Sequence, residues 1–324
     1  MLEIHHLSKS FGALTAVDDV TFTVGRGEVL GFLGPNGAGK STTMKMATGF
    51  LAPDGGTAIV CGHDIQTQPL AAKRHFGYLP EGAPAYPDMR VADFLRFVAH
   101  IRGLRGAEAQ ARTDRIVELV HLEEVYEQRI ETLSKGFRRR VGVAQALIHD
   151  PPVVILDEPT DGLDPNQKHE MRGIITAMRP EKAIIISTHL LEEVEAVCTR
   201  AIIIAHGRVL ADGTPAALAA RSRYHNSVRL VVAPESAAKI RAELDALDDI
   251  DAVETANDDD GTALIVVAHG NRPIAEDIVE LARRRRWRLR GMTVDRGRLD
   301  DVFRSITAPE SGPRSPWDFA DLTN

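Results

Sequence analysis

The sequence predicts an α/β fold built on a largely parallel sheet, joined to a smaller unit of a different style. Three observations carry this. Short continuous apolar runs, Val153-Val154-Ile155-Leu156, Ala183-Ile184-Ile185-Ile186 and Ala201-Ile202-Ile203-Ile204, suit central strands covered on both faces. Helix-like stretches at 167–178 and 191–197 lie between them, giving the alternation of a parallel core. A glycine-rich turn at 34–42 links the apolar run 29–33 to a helix-like stretch, as phosphate-cradling loops do.

From Met1 to about Gly213 this alternation persists. The segment 88–147 differs: it lacks β-branched runs and carries helix formers over 91–104, 107–120 and 138–148, so it is expected to be a helical insertion between two core strands. After about Leu218 the order becomes strand (227–232), helix (235–247), two strands (253–256 and 262–268) around Asp258-Asp259-Asp260-Gly261, helix (273–285) and strand (287–294). That βαββαβ order is ferredoxin-like. An amphipathic piece, 299–306, follows, and Pro, Ser, Gly and Asp dominate from Ala308. The expected domains are 1–218, a ferredoxin-like accessory unit at 219–307, and a flexible tail at 308–324.

Composition narrows the function classes. Of 324 residues 44% are hydrophobic and 26% charged, ordinary for a soluble globular protein of about two domains. No apolar run approaches the ~20 residues of a spanning helix. The N-terminus lacks a basic stretch followed by an apolar one, so it does not read as a signal peptide. Cys61 and Cys198 are the only cysteines, read as two reduced thiols of a cytoplasmic protein. The formal net charge of −7 argues against a nucleic-acid-binding surface over the whole chain. Arg283-Arg284-Arg285-Arg286, with Arg288 and Arg290, is the densest basic run; it reads as the polar end of a helix with cations near its C-terminus, ahead of a lipid or nucleic-acid site.

Two motifs carry chemistry. Gly34, Pro35, Asn36, Gly37, Ala38, Gly39, Lys40, Ser41 and Thr42 fit G-x-x-x-x-G-K-[ST]. The glycines allow close backbone approach to a pyrophosphate, Lys40 reaches the β- and γ-phosphates, and Ser41 ligates Mg²⁺. Val153–Leu156 ends in Asp157-Glu158: a carboxylate for Mg²⁺, then one that orients or deprotonates an attacking water. Ser134 is placed to cap a helix start, a setting that binds anions.

With these motifs, Gly77-Tyr78-Leu79-Pro80-Glu81, Leu133-Ser134-Lys135-Gly136-Phe137, Gly162-Leu163-Asp164-Pro165 and Ser187-Thr188-His189 follow in order. Over about 1–213 the chain resembles the ATP-binding-cassette (ABC) ATPases. More narrowly it resembles exporter-class subunits, including those of gliding-motility, copper-related and drug-export systems. The resemblance implies an antiparallel N-terminal β part beside the parallel sheet, and ATP and Mg²⁺ as cofactors. It implies that Phe11 stacks on adenine, that Glu158, His189, Lys40 and Glu81 act in hydrolysis, and that Ser41, Asp157 and Glu81 lie at the metal. It further implies that Ser134, Gly136 and Asp164 act across a homodimer that sandwiches two nucleotides. The expected work is to power a separately encoded transmembrane permease from the cytoplasmic face of the membrane, most simply for export, with no nucleic-acid partner. The alternative is a non-transport ABC ATPase: a soluble regulator, or one serving DNA or translation. Three positions depart from the family pattern: Glu81 and Phe137 stand where glutamine is usual, and Lys135 where glycine is usual. Glu81 adds negative charge near the phosphates, which predicts a stronger dependence on the metal.

Overall fold

The computed structural model describes residues 1–308; the expected flexible tail lies, but for Ala308, outside the described residues. Strands β1 (Leu2–Phe11) and β2 (Leu14–Val24) form an antiparallel hairpin. The wholly buried β3 (Val29–Leu33) leads through the glycine-rich loop into α1 (Lys40–Ala47). Then come β4 (Gly55–Val60), β5 (His63–Asp64), α2 (Pro69–Arg74) and β6 (Phe76–Leu79). The expected helical insertion contains α3 (Val91–Ile101), α4 (Gly106–Leu119) and α5 (Lys135–Leu147). After it run β7 (Val153–Asp157), α6 (Pro165–Met178), β8 (Ala183–Thr188), α7 (Leu191–Val197), β9 (Arg200–Ala205), β10 (Arg208–Gly213) and α8 (Pro215–Ala219).

These elements make two sheets. Strands β2-β1-β4-β5 form an antiparallel sheet, and β10-β9-β3-β8-β7-β6 form a sheet that is parallel except at its β10 edge. The three apolar runs singled out in the sequence are β7, β8 and β9, buried almost throughout because layers cover both faces. One core cluster, with Leu30, Phe32, Ile155 and Ile185, faces the antiparallel sheet; another, with Leu79, Val154, Leu156 and Ile186, faces α3 to α6. Register places Leu33 beside Thr188 and Asp157 beside Ser187. The C-terminal ends of β3, β7 and β8 are therefore level, and the segments leaving them emerge on one edge. In an open α/β sheet that edge is where ligands bind.

The remaining chain forms β11 (Val228–Val232), α9 (Pro234–Asp245), β12 (Ile250–Asp258), β13 (Gly261–Ala268), α10 (Ala275–Arg285), β14 (Leu289–Val294) and α11 (Leu299–Thr307). Its sheet order, β12-β13-β11-β14 with every neighbour antiparallel, is that of a ferredoxin-like unit. Asp258–Gly261 is the β12–β13 turn, with Asp258 accepting from the Asp260 N–H. The basic run closes α10, where Arg284 pairs with Glu280 and Arg285 lies 3.5 Å from Glu243.

Helix α11 packs away from this second core. Leu299 joins Leu33, Val194, Ala201, Ile203, Ala211 and Leu218 in one apolar cluster, with Phe303 and Ile306 at its margin. The last helix, grouped by sequence with 219–307, thus covers an apolar face of the first unit.

Leu299→Ala is expected to destabilise the full chain by about 2–5 kcal/mol, the usual cost of truncating a buried leucine. Denaturant unfolding measures it, and a loss under about 1 kcal/mol would mean that α11 is only loosely seated. A second expectation concerns His149, just beyond α5, whose Nε2–H donates to the Phe76 carbonyl at 3.1 Å. Burial, chiefly, lowers its pKa from 6.5 to about 4. The folded chain then binds fewer protons than the unfolded chain between those values. The stability that His149 contributes is present above pH 6.5 and is lost as pH falls toward 4, by up to about 3 kcal/mol. Unfolding of His149→Gln across this range should show a shallower pH dependence than wild type; parallel curves would remove His149 as the cause.

Candidate active site

The loop 34–39 turns sharply because Gly37 and Gly39 take φ of 80° and 103°. At Gly39 a methyl group would also come within 2.4 Å of the Ala16 carbonyl, so the position needs glycine on both counts. Pro35, Asn36 and Ala38 complete the loop, and the Ala38 N–H donates to the Pro35 carbonyl. Thr42 lies in the first turn of α1. The start of α1 presents backbone N–H groups and the positive end of the helix dipole toward whatever the loop holds.

Lys40 is buried inside this loop. Its Nζ donates to the Gly34 carbonyl at 2.7 Å and the Pro35 carbonyl at 3.2 Å, and lies 3.8 Å from Glu158 Oε1. Burial lowers its pKa, against the raising pull of Glu158, Asp157 and Glu81. Asp157, at the end of β7, has no exposed surface. Its Oδ1 accepts from Ser41 Oγ at 3.3 Å and from Ser187 Oγ, while its Oδ2 has no partner. A free, fully buried carboxylate oxygen beside a serine hydroxyl is a donor set that suits a hard, oxygen-seeking cation such as Mg²⁺. Among the described residues no group of three or more His, Cys, Asp or Glu side chains could hold a metal ion.

Glu158 leaves the strand with φ of 50°, a left-handed conformation uncommon outside glycine. Such backbone costs of order 1–3 kcal/mol and is typical of functional sites. Two bonds from the Glu158 N–H stabilise the kink, to the Ser187 carbonyl at 3.1 Å and to Ser187 Oγ at 3.2 Å. The side chain is 11% exposed, and His189 Nδ1 lies 2.9 Å from its Oε2. Burial, more than any other influence, raises its pKa, against the lowering effect of His189 and Lys40. A carboxylate whose pKa is raised by burial and whose aim is set by an imidazole is suited to accepting a proton from water.

The edge thus brings together Lys40, Ser41, Asp157, Glu158 and His189. Glu81 stands on the exposed loop after β6; its charge acts on Lys40, although no side-chain hydrogen bond holds it there. Phe11 is 51% exposed at the tip of the first hairpin, which excludes a core role, and Lys9 Nζ lies 5.8 Å from its ring centroid. Ser134, Gly136 and Asp164 gather elsewhere. Ser134 caps α5 by accepting from the Phe137 N–H at 3.3 Å. Asp164 caps α6 by accepting from the Gln167 N–H at 2.9 Å, and Gly136 lies against the Gln167 side chain. Lys135 pairs with Asp161 at 3.2 Å. Ser187, quoted in the sequence only as part of Ser187-Thr188-His189 and given no role there, is set beside Asp157 by strand register and donates to its carboxylate.

A family model described as ABC transporter matches residues 17–161. The Nod factor export ATP-binding protein I of Paraburkholderia xenovorans is 39% identical over 220 residues, 68% of this chain and 72% of that protein. A solved ATP-binding subunit of an ABC transporter is 34% identical, with a TM-score of 0.63 over 67% of this chain and 91% of its own. CbiO1 of Clostridium perfringens, part of the complex cbiONQ, is 28% identical, with a TM-score of 0.62 over 68% and 90% of the two chains. The chain belongs to the ABC transporter family of ATP-binding proteins. It is an ATPase subunit of that class, which favours the transport reading over the regulatory and nucleic-acid alternatives.

Glu158→Gln is expected to keep ATP binding while lowering turnover at least about 100-fold, because an amide cannot accept the water's proton. Steady-state hydrolysis beside titration with a fluorescent nucleotide measures both quantities, and near-wild-type turnover would remove Glu158 from this role.

Proposed function

We propose that this ATPase drives export through a separately encoded permease, working as a homodimer on the cytoplasmic face of the membrane. The observation that supports it most is the contact of Glu158 with His189 beside the half-free Asp157 carboxylate, in a chain similar to an export ATP-binding protein. Residues 34–42 hold the phosphates, with Lys40 supplying the charge. Ser41, Asp157 and Glu81 hold Mg²⁺, which supplies neutralisation of phosphate charge. Glu158 takes the proton of the attacking water, and His189 keeps that carboxylate aimed and reaches toward the γ-phosphate. Phe11, exposed at the hairpin tip, stacks on adenine. Ser134, Gly136 and Asp164 serve the nucleotide held by the second copy, which accounts for their position apart from Lys40. The carboxylate of Glu81 makes hydrolysis more dependent on Mg²⁺ than an amide would.

No helix among the described residues is long and apolar enough to cross a membrane. The permease meets the chain at an apolar surface beside the Glu81 loop. There Tyr86 and Phe97 pack edge to face at 5.8 Å, and Tyr86, Phe97 and Ile101 are 56%, 40% and 66% exposed. Residues 219–307 form an accessory unit that regulates turnover or stabilises the dimer, tied to the first unit by α11.

Phe97→Asp should leave hydrolysis by the isolated chain within about twofold of wild type, as a surface change does. It should lose capture of integral membrane proteins from detergent-solubilised membranes of the source cells. Undiminished capture would place the permease elsewhere.

A further inference from the structure

Arg139 lies in the second turn of α5 and is 3% exposed. Its Nη2 is 4.0 Å from Asp161 Oδ2, and its Nη1 has no hydrogen-bond partner. A buried guanidinium with one unsatisfied end is costly and calls for a compensating partner. The carboxylates whose charge acts on it are, in order, those of Asp161, Glu158, Glu81 and Asp157. Asp161 is more than a surface acid. Its N–H donates to the Glu158 carbonyl at 3.3 Å, closing the turn in which Glu158 holds its left-handed backbone. One turn further along the same face of α5, Gly142 approaches the Glu81 loop so closely that a methyl would lie 2.6 Å from Leu79 Cδ1 and 2.9 Å from Ala83 Cβ. Helix α5 is therefore a rigid backing to both acidic loops, and Arg139 is its buried charge between them. Lys135 reaches Asp161 too, but from a side chain 54% exposed, where water screens it.

We propose that Arg139 is a positioning residue for hydrolysis: through Asp161 it holds the 158–161 turn and so sets the aim of the Glu158 carboxylate. The proposal rests on Glu158 being the group that takes the water's proton. It assigns Arg139 no contact with nucleotide, so its loss acts on turnover and not on affinity. Because Arg139 and Asp161 act as one unit, removing either removes the effect of both.

The test uses the purified full chain, with kcat, KM for ATP and melting temperature measured for each variant. Arg139→Gln and Asp161→Asn are each expected to lower kcat about tenfold, and the double variant is expected to fall no further, the signature of residues that act through each other. KM should stay within about twofold of wild type, and Arg139→Lys, which keeps the charge, should recover most of the lost turnover. Wild-type kcat in a folded Arg139→Gln protein, or losses that multiply to about 100-fold in the double variant, would overturn the proposal. Should Arg139→Gln not fold, Asp161→Asn decides alone: full turnover in it sinks the idea, and a tenfold loss at unchanged KM and melting temperature supports it. Glu158→Gln, assayed alongside, separates the two layers. Full turnover there removes Glu158 itself, whereas an inactive Glu158→Gln with an unimpaired Arg139→Gln removes only the positioning role.

Discussion

Asp157 is a carboxylate with no exposed surface, tied through one oxygen to Ser41 on α1 and to Ser187 on β8. A charge so placed is tolerable only where hydrogen bonds and opposite charge compensate it. Those compensators come from two separate parts of the chain. Ser41 belongs to the glycine-rich loop, Ser187 to the neighbouring strand, and Lys40 contributes its charge from the same loop. Meeting the electrostatic needs of this one group therefore brings the loop, the carboxylate pair and the segment carrying His189 to one edge. The Oδ2 left unsatisfied is the part of that balance the protein does not complete by itself, which is why a divalent cation fits there.

The second unit is bound to this edge by packing as well as by chain connection. Leu33 is the last residue before the glycine-rich loop, and Val194 lies on the helix that follows His189. Both share a cluster with Leu299 of α11. Tyr224, at the entry to the second unit, lies under the guanidinium of Arg298 at 4.4 Å and donates its hydroxyl proton to Glu254 on β12 at 3.0 Å. A shift of the second sheet would thus be felt by α11, and by α11 against the residues that set the loop and α7. This is a contiguous packed connection; its use in regulation depends on two states of the second unit that differ in free energy.

How much was legible in the sequence followed from the kind of signal each feature leaves. Central strands announce themselves because burial on both faces demands unbroken apolar runs, and β7, β8 and β9 stand where those runs are. The loop at 34–42 and the pair Asp157-Glu158 were legible because phosphate and metal chemistry fix residue types at fixed spacing. The N-terminal sheet came only through resemblance. Register shifts between Ile4 and Leu7 and between Lys9 and Ser10 break the alternation of β1, so its period is weak. The face of α11 was legible as apolar, but periodicity shows that a helix needs a partner without showing which. Arg139 left no local trace at all, and Ser187 showed only as the first residue of the Ser187-Thr188-His189 motif, with no role of its own. A serine at a strand end and one arginine among three are ordinary until register and helix packing bring them to carboxylates.

The same distinction bears on the departures from the family pattern. Lys135 looks in sequence like a disruption of a glycine-rich helix start, yet Ser134 still caps α5 and Gly136 still fits against Gln167. What the lysine adds is a bond to Asp161, the residue that Arg139 also faces. The start of α5 and the turn after Glu158 are thereby linked twice within one chain, both times at Asp161, once by an exposed cation and once by a buried one. An exposed cation exchanges partners readily, because solvent offsets the loss, whereas a buried one does not. If the start of α5 meets a second copy's phosphates, Lys135 can leave Asp161 for them at small cost while Arg139 holds the turn in place. The two cations then divide the work by burial: the exposed one is free to respond to nucleotide, and the buried one preserves the geometry that hydrolysis requires.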